Sequence, residues 1–168
     1  MAVSAYEVIS TQTLGSAVTT VTFSSIPQTY TDLVLVCSTQ GTTVTAAVTI
    51  RYNSDTGSNY SVTRLYGDGS TATSNRYSNQ TSAHIGDWMP NATYFFPIVT
   101  QIQNYSNTTT YKTHLSRFGA SSDVQGAIVG LWRSTAAINT ITIMENQASA
   151  GTNFKIGSTF TLYGIKAA

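Results

Sequence analysis

The sequence predicts an all-β protein, a single-domain jelly-roll-like β-sandwich of about 8–10 antiparallel strands, on three observations. Charged residues make up only 9% of the 168 residues, against about 25% in an ordinary soluble protein, and Ser and Thr take their place. Apolar residues recur with a period of two, which is typical of half-buried strands. No window shows the i, i+3, i+4, i+7 spacing of an amphipathic helix, so we expect almost no helix.

Strands are predicted wherever apolar and polar residues alternate over strand length. The segment 33–36 is continuously apolar and indicates a central strand that is covered on both faces. The clearest alternation lies at 18–23, 44–52, 138–145 and 160–165. Weaker strands are predicted at 6–13, 61–66, 94–103, 111–118 and 127–133.

Residues that favour turns separate these strands. The polar cluster 53–59 favours a turn held by Asx hydrogen bonds. Asp68-Gly69 is a tight-turn signal. The segment 70–82 is almost entirely polar or small and is interpreted as a surface loop with room for a short edge strand. No repeat and no Pro-rich or charged linker divides the chain, which favours one domain.

We expect residues 1–168 to form the one domain, with residues 1–5 as a short N-terminal arm.

Composition excludes several classes of function. Eight basic and seven acidic residues give a net charge of +1, so no basic stripe favours nucleic acid. No apolar run reaches the roughly 20 residues that span a bilayer, and the N-terminus has no signal-peptide pattern. Cys37 is the single cysteine and is expected to be a buried hydrophobe in a chain made in a reducing cytoplasm.

Enzyme and cofactor motifs are absent from the sequence. No nucleophile elbow, phosphate loop, H-E-x-x-H motif or paired C-x-x-C is present, and the seven carboxylates are scattered. We therefore expect no catalytic residue, no cofactor and no metal. His84 and Asp87 could bring an imidazole to a carboxylate, but a solvated loop pair is the favoured interpretation. Two histidines and one cysteine are a poor start for a zinc site, which needs three or four ligands.

The turn at 53–59 has the alternating oxygen ligands of a calcium loop, with Asn53, Asp55, Gly57 and Asn59. Compared with the EF-hand pattern it fails at two positions. Ser58 stands where the sharp-turn glycine belongs, and Arg64 stands where the bidentate glutamate belongs. A turn without a cation is the prediction.

Aromatic residues beside polar segments are the remaining candidate surface. They could stack on a sugar ring or pack at a subunit contact, although each alone is more often a residue at the edge of a core, and only a cluster would count as a site. The candidates carried forward are Tyr60, Tyr66, Tyr77 and Trp88.

The low charge also bears on assembly. Segments such as 18–23 and 33–38 are β-prone and carry no gatekeeper charge, so on an exposed edge they would recruit other chains. A homo-oligomer or a larger particle would cover such surfaces. Secreted sugar-binding sandwiches are Thr-rich and poor in charge as well, and they are the alternative.

Several short motifs run in a fixed order from residue 26 to residue 165, nearly the whole chain. They are Ile26-Pro27-x-x-Tyr30-x-x-Leu33, Tyr52-Asn53-x-Asp55-x-Gly57-x-Asn59-Tyr60-Ser61, Leu65-Tyr66-Gly67-Asp68-Gly69, Asn104-Tyr105-x-Asn107-Thr108, Tyr111-Lys112-Thr113, Leu131-Trp132-Arg133-x-Thr135-x-Ala137-Ile138 and Gly157-Ser158-x-Phe160-x-Leu162-Tyr163-Gly164-Ile165. In these motifs the chain resembles a family of small accessory structural proteins of tailed-bacteriophage virions, common in aquatic phages.

The resemblance implies a jelly-roll-like sandwich on a virion, which decorates and cements the capsid or forms part of a tail fibre. Family members often carry carboxylates around 101–104, where this chain has amides, so no metal or acid chemistry carries over. Among the matched positions, Gly67 and Gly69 would permit a positive φ. Trp132 is expected to be a core anchor, and Tyr163 to cap a sheet end.

The leading hypothesis is a non-enzymatic capsid decoration (cement) protein that is made in the host cytoplasm and located on the capsid surface. Its expected partners are the major capsid protein and copies of itself, as a homotrimer, with no nucleic acid and no membrane. The alternative is a tail-fibre or host-surface carbohydrate-binding module that binds a host glycan. An enzyme such as a glycan depolymerase would need two carboxylates about 5–10 Å apart in a cleft.

Overall fold

The computed structural model describes residues 5–42, 46–89, 94–119, 124–146 and 153–166. These ranges contain twelve strands and no helix, and so no helix that could span a membrane. The strands are β1 (Tyr6–Thr13), β2 (Thr20–Phe23), β3 (Asp32–Thr39), β4 (Ala46–Tyr52), β5 (Tyr60–Gly67), β6 (Ala72–Gln80), β7 (Ala83–Met89), β8 (Phe96–Gln103), β9 (Lys112–Gly119), β10 (Gln125–Trp132), β11 (Ile141–Glu145) and β12 (Thr159–Ile165).

The strands form two antiparallel sheets, and eight of them have the connectivity of a jelly roll. The larger sheet begins with the order β1-β12-β3-β8, and the smaller sheet has the order β2-β11-β4-β7. Alternate strands of the chain thus enter opposite sheets, as in two interlocked Greek keys. The all-β sandwich predicted from the sequence is confirmed.

The other four strands are two inserted hairpins. The hairpin β5–β6 lies between β4 and β7 in the chain, and β9–β10 lies between β8 and β11. They pair with each other through β5 and β10, and β9 pairs with β8, so the larger sheet grows to eight strands. Strand β7 of the smaller sheet contacts β5, β9 and β10 and covers the inner side of this extension.

One prediction is correct in kind and wrong in extent. The segment 70–82 was predicted as a surface loop with room for a short edge strand, and nine of its residues form strand β6 at the edge of the larger sheet. Strand β6 ends the larger sheet and is polar on both sides, so its sequence carries no apolar alternation to reveal its length. Strand β7 was not predicted, and the described strands outnumber the expected ones for these two reasons.

The core lies between the sheets and is built from alternate residues of the strands. Leu33 and Leu35 of β3 are fully buried and face the core. Val36, which follows Leu35, faces the opposite side of the sheet and is exposed. Cys37 is buried as expected, and burial raises the pKa of its thiol well above the usual range. Trp132 is also buried, which confirms it as a core anchor.

A glycine makes room for a buried imidazole ring. Gly130 of β10 lies opposite His114 of β9, and a Cβ added at Gly130 would overlap the imidazole ring. Of the two turn glycines, Gly69 has a positive φ of 86°, and Gly67 does not have one. The tight turn at Asp68-Gly69 is confirmed, since Asp68 N–H donates to Thr71 O at 3.2 Å.

Candidate functional site

The structure divides the four aromatic candidates. Tyr60 lies in the core, with no exposed surface, so its prediction as a surface residue was wrong. Its ring stacks on Trp132, with centroids 6.3 Å apart and planes 16° apart. Its hydroxyl accepts a hydrogen bond from Tyr52 N–H at 3.0 Å. The side chain of Trp88, on strand β7, lies outside the described part of the chain.

Tyr66 and Tyr77 meet in one polar cluster under the inserted hairpins. The Arg64 cluster consists of Arg64, Tyr66, Tyr77, His84 and Asp87. The guanidinium carbon of Arg64 lies 5.3 Å from the ring centroid of Tyr66 and 5.0 Å from that of Tyr77. Arg64 Nη1 donates to Asp87 Oδ2 at 2.8 Å, and His84 Nδ1 bonds Asp87 Oδ1 at 2.9 Å. The His84 ring stacks on Tyr77, with centroids 5.4 Å apart.

The register of the strands explains this cluster. Arg64 and Tyr66 lie on β5, and Tyr77 of β6 pairs with Val62, two residues before Arg64 on the same side of β5. His84 and Asp87 lie on β7, where the pairing with β4 shifts register, so residues three apart share one side. The solvated loop pair predicted for them was wrong, because both lie on a strand with side chains only 13% and 4% exposed.

The interactions within the Arg64 cluster are of the kind that stabilise a fold. Burial alone would raise the pKa of the Asp87 carboxyl, but hydrogen bonds and charge from His84 and Arg64 hold it below its usual range. The faces of Tyr66 and Tyr77 that receive Arg64 and His84 are taken up inside the protein, which leaves less ring surface for a sugar. The cluster joins the inserted hairpin β5–β6 to the jelly roll at β7.

The turn at 53–59 is held by hydrogen bonds to Asp55. Asp55 Oδ2 accepts from Trp132 Nε1 at 2.7 Å and from Asn59 Nδ2 at 2.9 Å, and Oδ1 accepts from Gly57 N–H at 2.8 Å. Burial alone would raise the pKa of Asp55, but these three hydrogen bonds lower it. Both carboxylate oxygens are thus engaged by protein donors, and the predicted Asx turn is confirmed.

Replacing Asp55 with alanine is expected to lower the free energy of unfolding by about 2–3 kcal/mol, because it leaves the buried Trp132 N–H without an acceptor. Urea denaturation followed by tryptophan fluorescence measures this loss. The matched control is Asp68→Ala, since Asp68 holds a similar turn through Ser70 and Thr71 but is exposed. Its loss is expected to stay below about 1 kcal/mol. Equal losses in both variants would contradict the role given to Trp132.

Three further titratable groups are buried, and none of them has an ion-pair partner among the described residues. Lys112 Nζ donates to Thr110 O at 2.8 Å and to Thr135 O at 3.2 Å, and burial lowers its pKa. His114 bonds Tyr52 Oη at 2.9 Å through Nδ1. Glu145 is 2% exposed, and neither of its carboxyl oxygens has a hydrogen-bond partner among the residues that the structure describes.

In the described part of the chain these groups do not form a metal-binding cluster. Across the described ranges, no three His, Cys, Asp or Glu side chains lie close enough together to hold a metal ion. Sequence reasoning did not single out Glu145, because alternation over 138–145 does not say which row of β11 faces the core.

The most unusual surface is the outward side of the larger sheet, which we call the outer face. Six apolar side chains on it are 38–61% exposed: Tyr6, Val8, Val36, Leu65, Leu115 and Val129. Cross-strand pairing aligns two long rows. One row contains Val8, Tyr163, Val34, Gln101, Leu115, Val129, Thr63 and Arg76, and its neighbour contains Thr161, Val36, Val99, Arg117, Ala127, Leu65 and Ser74.

The outer face carries little charge. Its described strand residues include two guanidinium groups, Arg76 and Arg117, and one carboxylate at its border, Asp32. Asp32 Oδ1 accepts from Asn104 N–H at 2.6 Å. A depression of about 270 Å³ lies on this face, lined in part by Leu115 and Arg117. A flat apolar surface of this kind is typical of a protein contact.

Comparison with known proteins adds no relative. No protein-family model matches the chain, and no curated protein sequence matches it. The geometry of the described residues and the sequence motifs are therefore the basis of the functional proposal.

Proposed function

We propose that the chain is a non-enzymatic bacteriophage virion protein, a capsid decoration (cement) protein that binds the outside of the major capsid shell as a homotrimer. The observation that carries the proposal is the outer face. Large apolar side chains such as Leu115 and Val129 stand exposed in the middle of an eight-stranded sheet. A surface of this composition favours burial against another protein over contact with water.

Cementing needs binding area, and the two inserted hairpins supply it. Eight strands spaced about 4.8 Å apart make a face about 35 Å wide, and strands of seven or eight residues make it about 25 Å long. The resulting area is on the order of 800 Å², which matches what one partner buries in a stable protein interface. A contact of that size across several capsid subunits would resist the internal pressure of the head.

The jelly-roll order gives a weaker form of support. Jelly rolls are used in viral capsid proteins and in lectins, so the fold agrees with either a virion role or a glycan-binding role. The trimer is supported by the low charge and by strands β1 and β6, which end the larger sheet with one hydrogen-bonded neighbour each in the described chain.

One observation favours the alternative of a carbohydrate-binding module. A depression of about 510 Å³ lies at the end of the β5–β6 hairpin, lined by Tyr66 together with Thr73, Ser74 and Gln125. An aromatic ring beside uncharged hydrogen-bonding groups suits a neutral sugar. The chain purified as a trimer or monomer and applied to a glycan array would show this binding, and Tyr66→Ala would remove it.

The location of the chain in purified particles tests the main proposal. Quantitative mass spectrometry of virions, emptied heads and isolated tails is expected to find many copies, in fixed ratio to the major capsid protein, that remain with the emptied heads. Heads that lack the chain are expected to burst at lower osmotic shock than complete heads. A few copies that travel with the tails would contradict cementing and favour the carbohydrate-binding alternative.

A further inference from the structure

We propose that the outer face binds a protein other than this chain. The partner would present an apolar patch that contains carboxylates, and these carboxylates would pair with Arg117 and Arg76. The inference rests on the proposed function and deepens it, because it assigns the attachment surface and the chemistry of the surface that it binds. It also separates attachment to the shell from the contacts between copies in the trimer, which must then lie elsewhere.

The position of the two arginines is the first step. Arg117 of β9 lies in a row of apolar residues, between Val99 on β8 and Ala127 on β10. Arg76 lies three strands away, on β6, at a distance of about 15 Å across the sheet. Neither guanidinium has a hydrogen-bond acceptor or an ion-pair partner in the part of the chain that the structure describes.

Any partner that covers the outer face must provide groups that pair with the two guanidinium charges. Burying an unpaired guanidinium in an apolar contact is strongly unfavourable, whereas a carboxylate placed opposite it forms a charge-assisted, bidentate pair. A purely apolar partner therefore does not suit the middle of this face, where Arg117 adjoins the depression lined by Leu115 and Val99. A partner with carboxylates within an apolar patch does.

A second copy of the chain is a poor source of those carboxylates. The chain has only seven, and the six that the structure describes are all engaged or buried. Three are buried or committed within the fold: Asp55, Asp87 and Glu145. Three others accept local hydrogen bonds: Glu7 from Lys166 and Tyr30, Asp32 from Asn104, and Asp68 from Ser70 and Thr71. The seventh, Asp123, lies outside the described residues, and the six described carboxylates favour a different protein as the occupant.

Zero-length crosslinking in the assembled particle tests this proposal. Virions are prepared with the Arg117→Lys chain, and a carbodiimide is used to join amines to carboxylates in direct contact. The chain contains its own positive control, because Lys166 Nζ and Glu7 Oε1 lie 2.6 Å apart and should couple within one chain. Arg51→Lys, on the outward side of the smaller sheet, is the matched control variant.

The expected result is a crosslink between residue 117 and an Asp or Glu peptide of another virion protein, with none from residue 51. A crosslink from residue 117 to a second copy of this chain would overturn the proposal. So would its absence in particles where the Lys166–Glu7 crosslink forms. Absence of the chain from virions is a different result, which is seen before any crosslinking and removes the proposed function itself.

Charge reversal gives a second readout. Arg117→Glu is expected to reduce the amount of chain that co-sediments with emptied heads by at least tenfold, while Arg51→Glu leaves it within twofold of the wild type. Binding of the wild type is also expected to weaken as salt is raised from about 0.05 to 0.5 M, because screening acts on the arginine contacts. Unchanged binding by Arg117→Glu would contradict the role of the outer face.

Discussion

Replacing Gly130 with alanine is expected to lower the free energy of unfolding by about 3–5 kcal/mol or to prevent folding. The added methyl group would overlap the His114 ring, and that ring has no free direction in which to move. His84 O can only accept, so His114 Nε2 donates to it at 3.3 Å, and Nδ1 then accepts from the Tyr52 hydroxyl at 2.9 Å. Any shift of the ring breaks one of these buried hydrogen bonds.

Denaturation in urea measures this loss, and two controls separate the clash from a general effect of alanine. Gly15→Ala is expected to change stability by less than about 0.5 kcal/mol, because a Cβ at Gly15 meets no atom within 4 Å. In a His114→Ala background, Gly130→Ala is expected to cost less than about 1 kcal/mol, since the overlapping ring is gone. A full loss in that background would show that the clash with His114 is not the cause.

The contribution of Glu145 to stability is expected to fall as the pH rises from about 4.5 to about 8. Its carboxyl group is buried without a hydrogen-bond partner among the described residues, and burial raises its pKa from 4.5 to about 8. The unfolded chain therefore releases this proton at lower pH than the folded chain. Below pH 4.5 the residue has no effect, and above pH 8 the full penalty is reached, on the order of 4 kcal/mol.

Urea denaturation at several pH values, for the wild type and for Glu145→Met, measures this effect. The variant keeps a side chain of similar length without a charge, and its advantage over the wild type is expected to grow with pH between 4.5 and 8. His114 acts in the other direction: burial lowers its pKa to about 4, so stability is lost as the pH falls from 6.5 to 4. That contribution is common to both proteins and cancels in their difference. Parallel pH profiles would contradict the burial of an unpaired carboxyl.

Much of the fold could be predicted because most strands alternate cleanly. The segment 6–13 was predicted as a strand, and β1 has those bounds. Strand β7 escaped prediction because its register shifts let His84 and Asp87 share one side, which breaks the period of two. Strand β6 was predicted only as a short edge strand within a loop, because an exposed edge strand needs no apolar residues that would reveal its length.

The candidate sites depended on contacts that are distant in sequence. The Asx turn at 53–59 could be predicted because Asn, Asp and Gly cluster there, and these residues favour turns that are held by side-chain hydrogen bonds to the backbone. Tyr60 could not be placed, because Trp132 covers its ring from a strand far along the chain. The outer face could not be predicted either, since Leu65, Leu115 and Val129 become neighbours only when the order of the inserted hairpins is known.

Strand β12 lies between β1 and β3, which has a consequence for synthesis of the chain on the ribosome. Among the described strands, β1 pairs with β12 alone, and Thr11 on β1 bonds Thr161 on β12, 150 positions later. At about 5–20 residues per second, β1 waits roughly 10–30 s after its own synthesis before its partner exists. Throughout that interval the nascent chain presents an unpaired strand with Tyr6 and Val8 on it, a binding site for cellular chaperones and a starting point for aggregation.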